Sequence, residues 1–227
     1  MRILFWDIDG TLLKTGKAGL YAFEQVVQEL FHTPFDFSSI KTAGMTDYYI
    51  AYQVIELATG RQPAVDEVCN LIARYEEVLP KHLALRQGHL TPSVKEILTD
   101  LHHHKEYVSL LLTGNTAIGA KMKLTHYGLD HFFNFAHSAF CSNCFDRTEI
   151  SAQALAIVQK HYRTVPLDHI YIIGDTPNDI ACGKAIGART IAVATGRCSL
   201  EELRPHSPWW LIPTLPSPIE FTKQLYR

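Results

Sequence analysis

At 227 residues, with 47% hydrophobic and 19% charged residues, the chain has the make-up of a globule, sized for one large domain or two unequal ones. The 21 Lys and Arg against 23 Asp and Glu give a net charge of -2, which leaves no basic field to draw nucleic acid or an anionic membrane; neither is an expected partner. No apolar run nears the roughly 18 residues that span a bilayer, no signal peptide fits ahead of the first apolar segment, and the five cysteines are an odd, scattered set. A reducing, cytoplasmic setting is the expectation.

Taken in chain order, the apolar run Ile3 to Trp6 predicts a buried strand over 3–7 that leads into Asp7-Ile8-Asp9-Gly10-Thr11-Leu12. Side chains alternate along a strand, so Asp7 and Asp9 project to one side, Gly10 permits a sharp turn, and Thr11 adds a hydroxyl. From about Lys14 to Arg86 the spacing is helical: Ala22 to Phe31, then Ile50 to Leu57 stopped by Gly60, then Val68 to Leu79 stopped by Pro80. This stretch, 14–87, reads as an all-helical insert of three or four helices. The remainder, 1–13 plus 88–227, alternates strand and helix. Strands are predicted at 108–112, at 133–136 (short), at 170–173, at 190–193 and weakly at 210–212. Apolar strands alternating with helices indicate an α/β fold with a doubly wound parallel, Rossmann-like sheet.

Three strands end in chemistry-bearing residues: Asp7 and Asp9, then Thr113-Gly114-Asn115, then Gly174-Asp175-Thr176-Pro177-Asn178-Asp179. Ligands in open parallel sheets bind beyond the carboxyl ends of strands. Folded together, Asp7, Asp9, Asp175 and Asp179 crowd four carboxylates into one crevice. Two like charges 4 Å apart repel by about 4 kcal/mol at an effective dielectric near 20. Such a cluster needs a cation, a raised pKa, or both, and oxygen donors without clustered His or Cys favour Mg²⁺.

On these residues the chain resembles the haloacid dehalogenase-like superfamily of aspartate-nucleophile hydrolases, in its phosphoglycolate phosphatase-like branch. Asp7-Ile8-Asp9-Gly10-Thr11 matches that family's first motif, Leu112-Thr113-Gly114-Asn115 its second, and Gly174 to Asp179 its fourth. The third, a basic residue ahead of a helix, falls on Arg147, with Lys160 as the alternative. Thr15 to Gly19 and Gly44 to Asp47 resemble features of that branch, and the helical insert takes the place of its cap domain. The resemblance implies that Asp7 attacks phosphorus and that Asp9 protonates the leaving oxygen, then takes a proton from water. It further implies that Asp7, Asp175 and the Asp9 backbone carbonyl hold Mg²⁺ with Asp179 in support. Thr113, Gly114, Asn115, Gly10 and Thr11 then serve the phosphate, and Arg147 offsets its charge. A small phosphorylated metabolite is the implied partner. Lys41, Thr42 and Asp47 are candidate cap contacts.

Other readings stand beside these. Thr113-Gly114-Asn115 also suits a plain turn, and Arg147 a helix-start charge. Cys141 and Cys144 lack a second Cys or His pair and read as structural thiols; His102 to His104 read as a solvated helix end. Trp209, Trp210, Tyr48, Tyr49 and Tyr52 read as packing residues. A phosphosugar mutase would keep both N-terminal acids, and a non-catalytic binding module of the same fold is the remaining alternative.

Overall fold

The first apolar run forms β1 (Arg2–Trp6), in which Ile3 to Trp6 are entirely buried. The structure, a computed structural model, describes residues 1–32 and 35–227. After β1 come β2 (Leu13–Lys14), α1 (Ala18–Phe31), α2 (Asp47–Thr59), α3 (Val65–Leu85) and β3 (His89–Leu90). The rest is α4 (Val94–His103), β4 (Tyr107–Leu111), α5 (Ala117–His126), α6 (Arg147–His161), β5 (Ile170–Gly174), α7 (Pro177–Ala185), β6 (Arg189–Val193), α8 (Leu200–Leu203), β7 (Trp210–Ile212) and α9 (Pro218–Leu225).

The five longer strands make one parallel sheet in the order β4-β1-β5-β6-β7, with Phe5 opposite both Leu110 and Ile172. Alternation then sorts the side chains into two layers. Ile3, Phe5, Leu110, Ile170 and Ile172 pack with α6 and α7 and are continuous with the helices of the insert. Leu4, Trp6, Leu111, Tyr171 and Ile173 pack with α4, α5 and α9. Burial on both faces explains the unbroken apolar runs and fits the expected doubly wound α/β core. Because β4 lies on one side of β1 and β5 on the other, the chain reverses direction across the sheet at β1. The crevice beyond its tip is the place for a ligand.

Helices α1 to α3 lie between β2 and β3, which pair antiparallel, Leu13 opposite Leu90. Local chemistry sets the ends of α2: the Thr46 hydroxyl accepts from Tyr49 N at 3.0 Å, and Gly60 closes the helix with φ of 70°. His102 and His103 are exposed at the end of α4, with His104 just beyond.

Two element expectations need correction. Helix α3 does not stop at Pro80 but continues to Leu85 with the proline inside it. An interior proline costs about 3 kcal/mol. Here Tyr75, Leu79 and Leu83, spaced by four, bury one continuous stripe on either side of it. Tyr75 stacks on Phe23 of α1 with ring centroids 4.1 Å apart, so tertiary packing outweighs the local penalty. The short strand expected at 133–136 is absent; tight turns occupy Asp130–Phe132 and Phe135–His137. The Asn134 side chain accepts from Ala136 N at 3.1 Å and closes the second turn. On the side of β4 away from β1, the described residues form a single bridge, Leu112 to Ala139.

Candidate active site

Backbone pairing places Asp7 at the tip of β1, its N–H donating to Ile173 O at 2.9 Å. Asp175 follows the end of β5, and Asp179 lies in the first turn of α7. Asp179 is fixed by helix capping: its Oδ2 accepts from Thr176 N at 3.0 Å and from Thr176 Oγ1 at 2.6 Å. One oxygen from each of Asp7, Asp175 and Asp179 lies within 4.8 Å of the others, all buried. Among the described residues this is the one grouping of three or more His, Cys, Asp or Glu side chains.

The packing around Asp175 leaves no slack. A Cβ on Gly196 would sit 1.6 Å from its Oδ2, and one on Gly10 would sit 2.5 Å away. Gly10 also turns through φ of 92°, a left-handed conformation that suits glycine. Arg147 begins α6 just after the capping residue Asp146, and its guanidinium reaches Asp179 Oδ1 at 2.6 Å and Asp7 Oδ1 at 3.2 Å. Burial pushes the Asp7 carboxyl up to about 7; Arg147 opposes the shift, while Asp179 and Asp9 add to it. Burial, with Asp179 and Asp7 as neighbours, also holds Asp175 well above the usual carboxylate range. Three crowded acids face one guanidinium, an excess of acid that the raised carboxyl values reflect. The all-oxygen donor set fits a hard divalent cation.

The Asp9 carboxylate stands apart from this group. Its Oδ2 accepts from Lys123 Nζ at 2.6 Å and from Asn115 Nδ2 at 2.9 Å. Thr113 is fully buried and accepts from Asn115 Nδ2 at 2.8 Å. Asp7, Asp9, Gly10, Thr113, Gly114, Asn115, Arg147 and Asp175 line one cavity of about 410 Å³. Thr11, expected to serve the phosphate, is fully buried and is not among the residues lining this cavity; its hydroxyl donates to Asp175 Oδ1 at 3.1 Å. Lys160 is exposed on α6, whereas Arg147 is buried among the acids.

Residues between β2 and β3 also line the cavity. Leu20, Phe23, Ile50 and Tyr75 give an apolar surface, and Thr42 and Asp47 also line the space; Lys41 is exposed and does not. Asp47 N donates to Gly114 O at 2.8 Å, Thr116 N to Asp47 Oδ2 at 2.9 Å, and Asn178 Nδ2 to Gly44 O at 2.7 Å. The Thr46 hydroxyl donates to Cys144 O at 2.8 Å. Cys141 and Cys144 are buried free thiols with sulfurs 3.8 Å apart.

The sequence profile of the haloacid dehalogenase-like hydrolases matches residues 3–193, most of the chain. The chain belongs to this family. Among proteins of curated function, none matches the sequence. The fold of this haloacid dehalogenase-like chain is shared by solved structures at low identity. One is a family IA hydrolase from Entamoeba histolytica, with 17% identity, a TM-score of 0.76 and 99% of each chain covered. A protein from Lactobacillus plantarum, provisionally designated a phosphoglycolate phosphatase, has 19% identity and a TM-score of 0.69, with 98% of each chain covered. One from Bacteroides vulgatus, provisionally designated a β-phosphoglucomutase, has 17% identity and a TM-score of 0.72, over all of this chain and 89% of that one.

The sequence reading missed Lys123. Its signal was faint: one cation at the buried spacing of α5, beside Gly119, Ala120 and Leu124. Burial works against its charge, but Asp9 and Asp47 more than offset that and hold its pKa above the ordinary lysine value.

Proposed function

We propose that this hydrolase is a Mg²⁺-dependent phosphatase, cytoplasmic in setting, that cleaves a small phosphorylated metabolite (phosphoglycolate-like or a sugar phosphate) through an aspartyl-phosphate on Asp7. The observation that carries the reading is one arrangement. Buried Asp7 lies within 4.8 Å reach of Asp175 and Asp179, is contacted by Arg147, and opens onto a cavity of metabolite size. The five free cysteines support the setting.

In this mechanism an Asp7 oxygen forms a bond to phosphorus as the ester P–O bond breaks. Asp9 gives its proton to the departing oxygen. Water then attacks the phosphorus, Asp9 takes up a proton from it, and the Asp7–phosphorus bond breaks to release inorganic phosphate. Thr113 and the Gly114 N–H, at the cavity wall, hold phosphoryl oxygens, with Gly10 and Asn115 adjoining. Arg147 offsets charge on the transferring group. Asp7, Asp175 and Asp179, with the Asp9 carbonyl, would hold Mg²⁺, which when bound offsets the repulsion between a carboxylate nucleophile and a phosphate dianion. The helical insert, 14–87, acts as a cap that excludes water and reads the substrate, with Thr42 and Asp47 in contact.

Incubating the protein with phosphoglycolate, p-nitrophenyl phosphate and a panel of metabolite phosphates, with and without Mg²⁺, tests this. Metal-dependent phosphate release is expected, lost in Asp7→Asn. Equal turnover by that variant ends the mechanism, and an isomerised sugar phosphate in place of free phosphate would mark a mutase.

A further inference from the structure

Two cations divide the acids of this site. Arg147 serves Asp7 and Asp179, and Lys123 serves Asp9. Lysine is seldom buried without a partner, yet the Lys123 side chain is only 5% exposed, inside α5. Its ammonium donates to Asp9 Oδ2 at 2.6 Å and to Asn115 Oδ1 at 2.5 Å. The Asn115 amide closes the ring by donating to the same Asp9 oxygen at 2.9 Å. Asn115 is itself anchored on Thr113 Oγ1 at 2.8 Å.

Both donors fall on Oδ2. Among the described residues, no side chain or backbone N–H donates to Asp9 Oδ1, and the Asp9 side chain is 43% exposed, facing the cavity. We propose that Lys123 is a positioning residue for Asp9: with Asn115 it pins Oδ2 and leaves Oδ1 as the atom that carries the proton to and from the substrate.

The inference rests on the phosphatase reading above and deepens it. A carboxyl that must meet a departing oxygen has two side-chain torsions to lose, and a displacement of about 1 Å can cost on the order of 10²-fold in rate. A clamp on one oxygen removes that freedom without occupying the other. The proton moves from Asp9 Oδ1 to the ester oxygen as its bond to phosphorus breaks, and Lys123 keeps its own protons throughout.

The leaving group separates this role from a structural one. An alkyl phosphate needs its departing oxygen protonated; p-nitrophenyl phosphate does so far less. We expect Lys123→Met to lower kcat/KM on an alkyl phosphate by about 10²-fold and on p-nitrophenyl phosphate by less than about 5-fold. Asp9→Asn should show the same selectivity, and the double variant should lose nothing further on the alkyl ester, since both changes act through one group. Equal losses on the two esters, or losses that multiply in the double variant, overturn the role of Lys123 while leaving the phosphatase reading intact. Wild-type protein inert towards both esters overturns that reading and this one together. Thermal unfolding checks each variant, and Lys123→Gln carries the same comparison if the methionine variant does not fold.

Discussion

Among the described residues, Arg147 is the one cation paired with two of the three clustered acids, and that makes its removal costly in two ways. Arg147→Ala leaves Asp7 and Asp179 buried without it, where truncating one member of a buried pair costs about 3–5 kcal/mol. In the proposed mechanism it also removes the group assigned to offset phosphoryl charge, for which a loss of about 10²-fold or more in kcat is expected. Denaturant unfolding reads the first and phosphate release the second; an unchanged midpoint would refute the stability half. Gly196→Ala tests fit at the same scale. The added methyl would fall 1.6 Å from Asp175 Oδ2, so the carboxylate must shift, and divalent affinity by titration calorimetry should drop about 10–100-fold. The acids were legible in the sequence because each follows a strand or opens a helix, positions where the backbone dictates where a side chain points. Thr11, Lys123 and Gly196 were not. Their roles depend on contacts across 164, 114 and 21 positions of chain, which no local pattern records.

The start of α2 shows how an element end can carry a pH signature. Asp47, in its first turn, is buried and accepts from Thr116 N. Burial pushes its carboxyl up from 3.8 to about 6, with Lys123 and the Thr116 amide opposing. A folded value above the unfolded one means that the folded chain binds more protons between these limits. Stability from this group therefore falls as pH rises from about 4 through about 6. Asp47→Asn keeps an acceptor for Thr116 and has no charge to desolvate. Its unfolding free energy relative to wild type should improve by on the order of 2 kcal/mol between pH 4 and 7. Parallel stability curves across that range would refute it. Strands and helices with strong periodicity were readable in advance: β1, β5 and β6 are apolar on both faces, and α2 ends at Gly60 as its chemistry requires. Pro80 and the segment near Phe133 misled for opposite reasons. Tertiary burial carries a helix through the proline, and a single asparagine cap folds an apolar stretch into a turn.

Across the whole molecule, the acids that suit the site to chemistry work against the fold. Asp7, Asp175 and Asp179 come from segments about 170 positions apart, and folding brings their oxygens within 4.8 Å against one guanidinium. Replacing Asp175 by Asn removes one charge at similar size, but its Oδ1 must still take the Thr11 hydroxyl bond. Asp175→Asn should therefore raise the unfolding free energy of metal-free protein at pH 7 by about 1–2 kcal/mol, the trade expected when a functional group is neutralised. If the proposed Mg²⁺ site is real, metal should reverse the order. A cation bound only by the folded chain stabilises by about 2.7 kcal/mol at a hundred times its Kd, so Mg²⁺ should raise the wild-type midpoint and leave that of Asp175→Asn nearly unmoved. The two unfolding curves should thus cross as Mg²⁺ is titrated in and separate again on chelation. If instead the wild type is the more stable without metal, the three carboxylates are not in electrostatic conflict. An equal Mg²⁺ response in the two proteins would place the ion somewhere other than on Asp175.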